Sequence, residues 1–294
     1  MARTPKARAL GAALRQARED KNLLLRQLAA SINRDTGVLS RWETGDRTPK
    51  PEQVAQILTT LGVNGDRYDE IMTLAYGTGE SQWVATSLPE LKQQMAAYLD
   101  WEQNATGIVE VAPLLVPGIL QTGDYIRAIM TAPGSGVPIG EIASRVTTRI
   151  GRRDVITRQN PAELLVLLGR AALNQGIGGR QAMIGQLGHL LEMAARPNIE
   201  IRIIPDDRGW HPGLEGDFTF IESRRASAVN NASAGTASIV FVGIRQTMLM
   251  LHEDRDVNTY RLAVNQITKV ALPPDVSVNF IADLRNRMEK RRGT

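Results

Sequence analysis

The chain has 294 residues, enough for about two domains, and is 43% hydrophobic and 22% charged. It has no cysteine, which excludes disulfides, thiolate zinc sites, iron–sulfur clusters and cysteine nucleophiles, and no run of the roughly 18 apolar residues that a membrane helix needs. The net charge of +4 is unevenly held: residues 1–50 carry eleven Lys or Arg against five Asp or Glu, and the remainder carries 24 against 26. The basic start Met1-Ala2-Arg3-Thr4-Pro5-Lys6 lacks the apolar stretch of a secretory signal, so a cytoplasmic chain is expected.

In chain order, Ala7–Asp20 reads as an amphipathic helix, with Leu10, Leu14 and Ala17 recurring at helical spacing. A short helix at Leu25–Ile32 follows, then the turn Asn33-Arg34-Asp35 and a third helix at Thr36–Glu43, stopped by Thr44-Gly45. Asn33 tolerates the left-handed conformation, and Asp35 is a natural N-cap. Pro51 opens a fourth helix that ends near Leu61-Gly62, and a fifth spans Asp66–Ala75. The small polar run from Gly77 places a linker over 77–86. Beyond it, long helices are predicted at Leu88–Ile108 and Glu141–Thr157, the second strongly basic, with another helix started by Thr122 or Asp124 between them. Strand candidates are Leu164–Leu168, Ile199–Ile204, Phe218–Ile221, Ser238–Val242 and Met248–Leu251. Gly176–Gly179 is a turn before a helix at Gln181–Ala195, the small-residue stretch Ala226–Ser238 is a loop, and helices at Val257–Val270 and Asp275–Arg291 close the chain. The fold class expected is an all-α five-helix domain over 1–76 followed by an α+β domain over 87–294 with four or five strands.

Two short helices joined by a tight turn inside a basic segment are the signature of a helix-turn-helix. Leu28, Ile32, Leu39 and Trp42 supply a small core, and Ala29 is small where the helices cross. With Asp35 as cap, Thr36, Gly37, Val38, Ser40 and Arg41 face the major groove, Arg41 with the reach for guanine. Arg47 and Lys50 follow the helix, where loops meet phosphate. Arg3, Lys6 and Arg8 are either a disordered arm or further phosphate contacts.

The run Leu28-Ala29, Leu39-Ser40-Arg41-Trp42-Glu43-Thr44-Gly45 and Arg47-Thr48-Pro49 resembles the XRE-type helix-turn-helix of phage-repressor-like regulators, over about residues 8–75. Farther on, Glu102, Val116-Pro117-Gly118-Ile119-Leu120-Gln121-Thr122 with Tyr125, Arg149 to Arg153, Gln186-Leu187 with Leu190, Arg196-Pro197-Asn198 and Gly213 to Phe218 are similar to motifs of actinobacterial WhiJ-like regulators. That resemblance implies a transcriptional regulator whose C-terminal domain has no established chemistry. Members are often described as antitoxin-like, and their genes frequently sit beside genes for small acidic partner proteins. It also implies a buried ion pair between Arg18 and Glu43, as in related repressors. Three positions depart from the family's pattern. Leu24-Leu25 stands where a Ser/Thr–Gln pair usually opens the second helix, Arg34 occupies a turn position that is usually apolar, and Gly243 follows Val240-Phe241-Val242 where a glutamate is usual.

The expected function is therefore a sequence-specific DNA-binding regulator or repressor, a homodimer on an inverted repeat of double-stranded DNA, with a C-terminal sensor or partner domain. The alternative is an antitoxin-like protein that binds a small acidic partner. The stripe Arg145, Arg149, Arg152 and Arg153 is then either a solvated helix face or the surface for that partner or an anionic effector. Gln121, Tyr125, Trp210 and His211 are either a small-molecule pocket or ordinary packing. His189, His211 and His252 lack the spacing of metal ligands, and Gly176-Ile177-Gly178-Gly179 lacks the lysine of a phosphate loop. No nucleophile elbow is present. No metal, cofactor or enzymatic activity is expected.

Overall fold

The computed structural model describes residues 4–76, 78, 82–84, 88–224, 236–244 and 247–290. Arg3, most of the linker expected at 77–86, most of the loop expected at 226–238 and Arg291 lie outside the described residues. The chain divides into two compact units, one of Met1–Asp100 with Phe241–Asp254, the other of Trp101–Val240 with Arg255–Thr294.

The first unit opens with five helices: α1 (Pro5–Asp20), α2 (Leu25–Ser31), α3 (Thr36–Glu43), α4 (Pro51–Thr60) and α5 (Gly65–Ala75). Local chemistry sets each boundary. The Thr4 hydroxyl accepts from the Ala7 amide at 3.0 Å and Pro5 takes the first helical position, where its missing N–H costs nothing. Asn22 and Asn33 adopt φ 54° and 51°, turning the chain out of α1 and α2. The amides of Leu24 and Lys50, which open α2 and α4, donate to the Gln27 and Gln53 side chains at 2.8 and 2.9 Å. Leu10, Leu14, Leu28, Leu39, Trp42, Val54, Ile57 and Leu58 form the buried centre. Gly11 is where α1 and α3 meet most closely: a Cβ there would lie 2.6 Å from the Trp42 carbonyl oxygen and 2.7 Å from that of Glu43.

The long helix expected at 88–108 ends earlier. α6 spans Leu88–Gln103, and the segment from Ala105 to Ala112 is a strand, preceded by β1 (Gln82–Val84) in the chain and here called β2. Asn104 and Gly107 interrupt a helix, and the β-branched Thr106, Ile108, Val109 and Val111 favour the extended chain, although the apolar spacing ahead of them continues a helical pattern. β2 pairs in parallel with β3 (Glu163–Gly169), and β3 in parallel with β4 (Ile199–Ile204). On its other side β2 pairs antiparallel with β5 (Phe218–Arg224), and β6 (Thr236–Ile244) lies beyond β5. The second unit thus holds the mixed order β5-β2-β3-β4 with the first half of β6, up to Val240, beside β5. In the first unit β1 pairs antiparallel with β7 (Thr247–Leu251). All five strand segments read from the sequence are strands; β1 and β2 add to them.

The basic helix expected at 141–157 is divided. A 3₁₀ turn at Ile139–Glu141 leads into α8 (Ile142–Gly151), which follows α7 (Gly123–Thr131); the chain turns at Arg152-Arg153 before the short α9 (Asp154–Thr157). α10 (Gly179–Ala194), α11 (Asp254–Val270) and α12 (Pro274–Lys290) complete the chain. β4 is an edge strand, but its edge is covered: the Ile203 amide donates to the Ser277 hydroxyl of α12 at 2.9 Å, and the Leu272 amide donates to the Ile203 carbonyl at 2.8 Å. No described helix is long and apolar enough to cross a membrane.

Candidate functional site

α2 and α3 form a helix-turn-helix held from behind by one charged clamp. The Arg18 guanidinium of α1 donates through Nε and one terminal nitrogen to the two carboxylate oxygens of Glu43, at 2.7 and 2.8 Å, and through its other terminal nitrogen to the Leu23 carbonyl at 2.7 Å. Each residue is only 7% exposed. The bidentate bond to Glu43 raises the guanidinium's pKa above its ordinary value against the opposing cost of burial. A pair of this kind fixes geometry more than it adds stability, because desolvation offsets most of the attraction. Here it locks the last residue of α3 to α1 and so fixes the pitch of α3. Leu39 and Trp42 bury the same side of the helix.

The opposite side of α3 is free. The Asp35 side chain accepts from the amides of Gly37 and Val38 at 2.8 and 3.3 Å, capping the helix. Thr36 and Arg41 are exposed, and Gly37, Val38 and Ser40 are half-buried. Gly37 is crowded by the cap: a Cβ there would lie 2.9 Å from Asp35 Oδ1 and 3.9 Å from a terminal nitrogen of Arg41. Arg41 therefore lies back over the first turn of α3. Arg47 and Lys50, in the loop that leaves α3, are both exposed, as are Arg26 and Arg34. The departure at the start of α2 is also plain: Leu24 is an exposed apolar side chain. Exposed cations beside a capped, rigidly held helix are what a polyanion surface requires.

In the second unit, Gln121 and Tyr125 of the expected pocket and Arg149, Arg152 and Arg153 of the expected stripe gather around one bend. The run 116–122 is a tight bend whose backbone is bonded from every side. The Gln121 amide donates to the Val116 carbonyl at 2.8 Å, and the Val116 amide donates to the Tyr125 hydroxyl at 3.4 Å. The Gln186 side chain, on α10, accepts from the Thr122 amide and donates to the Leu120 carbonyl, both at 2.8 Å. Arg153 donates to the Ile119 and Gln121 carbonyls at 3.4 and 2.8 Å, and Arg149 to Gln121 Oε1 at 3.3 Å. Arg152 grips both oxygens of Glu102 through Nε, at 2.8 and 3.1 Å, and lies against Gly118, where a Cβ would meet its guanidinium at 3.2 Å.

The four arginines accordingly share no solvated face. Arg145 alone pairs outward, with Glu141 at 2.8 Å, while the chain turns at Arg152-Arg153 so that the others reach inward. Gln121 and Tyr125 are buried and satisfy the backbone, and burial pushes the Tyr125 hydroxyl's pKa up. Trp210 stands apart from them at the surface. His211 beside it is buried with Nδ1 unpartnered, and burial holds its pKa down.

One site residue escaped the sequence reading. Glu110, in the middle of β2, is buried and accepts from the Thr219 hydroxyl at 3.0 Å. Burial first, then the neighbouring Glu102 charge, pushes its carboxyl up to about 7, while Arg152 and the Thr219 bond pull the other way. A single acid within the apolar run Ile108–Ala112 was the available signal. Among the described residues no group of three or more His, Cys, Asp or Glu is placed to hold a metal ion.

Comparison with known proteins matches both parts of the chain to families. Residues 9–71 match a helix-turn-helix domain. No curated protein and no solved structure matches the chain. Residues 95–283, more than half of its length, match a domain of unknown function, DUF5753. The chain belongs to the DUF5753 family and carries that domain behind an N-terminal helix-turn-helix.

Proposed function

We propose that the chain is a sequence-specific DNA-binding transcriptional regulator. The observation that carries this reading is α3: its inner side is fixed by Leu39, Trp42 and the Arg18–Glu43 clamp, while Thr36 and Arg41 are exposed and Gly37, Val38 and Ser40 are partly so. In the reading, α3 lies in the major groove. Arg41 pairs with a guanine edge, Thr36, Gly37, Val38 and Ser40 meet bases and sugar, and Arg47 and Lys50 hold phosphates. The DUF5753 part pairs two copies or receives a signal. Two recognition helices related by a two-fold axis would read half-sites about 34 Å apart. The reading asks no catalysis of either unit.

Selection of bound sequences from random duplex DNA tests the whole reading. It should enrich an inverted repeat. Arg41→Ala should weaken binding to that site by about 1–3 kcal/mol and relax one base position per half-site. Failure to enrich any sequence, or an Arg41→Ala protein that reads the site unchanged, would overturn it. The inward arginines of the second unit offer no specific support for an acidic partner.

A further inference from the structure

The strands β2, β3 and β4 run parallel with level ends: Ala112 lies opposite Leu168, and Leu168 opposite Ile203. The loops after β2 and β4 therefore leave the same edge of the sheet, their roots two strand spacings apart, about 10 Å. Between them, Pro113 lies over the end of β3: a Cβ at Gly169 would clash with its carbonyl oxygen. Both loops expose large apolar side chains. Leu114 and Leu115 are 59% and 46% exposed, and Trp210 and Leu214 are 71% and 61%. Exposed leucines are common singly; four large apolar groups on two loops of one sheet edge are not.

The charge around these groups has one sign in excess. Asp206 pairs with Arg170 at 3.5 Å and Asp207 with Arg208 at 3.9 Å. Glu215 and Asp217, both exposed, remain beyond those pairs. An apolar centre holding a tryptophan, with an acidic rim, has the composition of a protein-binding surface rather than of a phosphate or nucleic-acid site.

We propose that this edge, centred on Trp210, docks a partner-protein segment that presents apolar anchors flanked by lysine or arginine. The apolar side chains would cover Trp210, Leu214 and the Leu114-Leu115 tip, and the cations would meet Glu215 and Asp217. The sign of the partner is thus opposite to the one the arginine stripe had implied. The proposal is independent of the DNA reading, because no residue of α3 takes part.

A random peptide library displayed on phage, selected on the immobilised full-length protein, tests it. The enriched peptides should carry net positive charge and Leu, Phe or Trp anchors. A synthetic representative should bind at least tenfold more weakly to Trp210→Ala and to a Glu215→Lys, Asp217→Lys double variant. Trp210 is largely exposed, so Trp210→Ala should retain the wild-type circular dichroism spectrum. Enrichment of acidic or uncharged peptides would overturn the proposal, as would affinity indifferent to Trp210→Ala, or no enrichment above the Trp210→Ala surface. A wild-type dimer that Trp210→Ala dissociates in sedimentation would also overturn it, since a second copy would then be the occupant.

Discussion

Glu110 is a carboxylic acid that the fold holds near neutrality, with its carboxyl pushed from the ordinary 4.5 up to about 7. A raised carboxylate pKa has a definite sign in the stability balance. Below about pH 4.5 both folded and unfolded chains hold the proton, and nothing is lost. As the pH rises toward 7 the unfolded chain ionises freely while the folded one resists, and stability falls by ~1.4 kcal/mol per unit, about 3 kcal/mol in all. The loss levels off once the pH passes the folded value. Glu110→Gln removes the ionisation but keeps an acceptor for Thr219. It should be more stable than wild type by a few kcal/mol at pH 8 and level with it at pH 4.5, measured by urea unfolding at the two values. A stability difference that does not change with pH would show that Glu110 is not the group responsible. The opposite case is Arg18–Glu43, as deeply buried but mutually satisfied by a bidentate bond. The motif at Arg18 and Glu43 was legible in the sequence because both lie in a resemblance to known repressors. Glu110 was not, because its neighbours Glu102, Arg152 and Thr219 come from three other parts of the chain.

At the scale of elements, α1 and α3 cross where only a glycine fits. Two opposed effects act at Gly11. Alanine is the better helix former by about 1 kcal/mol, which would stabilise α1. Its methyl group, however, would press on two backbone carbonyls of α3, at 2.6 and 2.7 Å, and backbone cannot swing aside as a side chain can. Overpacking of that kind costs about 1–3 kcal/mol, so the clash should prevail. Gly11→Ala should lower the thermal midpoint and weaken DNA binding together, as scanning calorimetry and a titration would show; a raised midpoint would mean that the helices separate without cost. The helices of the first unit were legible in the sequence because caps and turn residues are local: Asn33, Asp35 and Gly45 act within a few residues of themselves. The errors came where tertiary structure overrode local pattern. β2 continues the apolar spacing of α6, and it takes both its β-branched residues and its place between β3 and β5 to make it a strand. The basic segment at 141–157 has helical periodicity throughout, yet it bends at Arg152-Arg153, where the guanidinium groups bond Glu102 and the carbonyls of the 116–122 bend. The Gln121–Tyr125–Gln186 network likewise has no signature in spacing, since its partners are carbonyl and amide groups of the backbone.

At the scale of the whole molecule, the charge division first seen in composition sets how the chain should meet DNA. The excess cations lie within the first fifty residues, and the exposed ones include Arg41, Arg47 and Lys50. Each phosphate neutralised contributes ~0.9 to the slope of log K against log salt. Replacing Arg47 and Lys50 together by alanine should therefore lower that slope by about 2 and weaken every sequence alike, whereas Arg41→Ala should act on the cognate site. Anisotropy titrations across a salt series separate the two; an unchanged slope would remove the loop from the phosphate contacts. The covered rim of β4 has a consequence of another kind. A strand whose outer amides and carbonyls are unpaired can recruit the same strand from a neighbouring molecule, and β4 is rich in isoleucine. By placing Ser277 of α12 and Leu272 of the turn before it on Ile203, the last two helices and their connection act as a guard against self-templated aggregation. A chain that lost them would be exposed to that hazard even with its reading head intact.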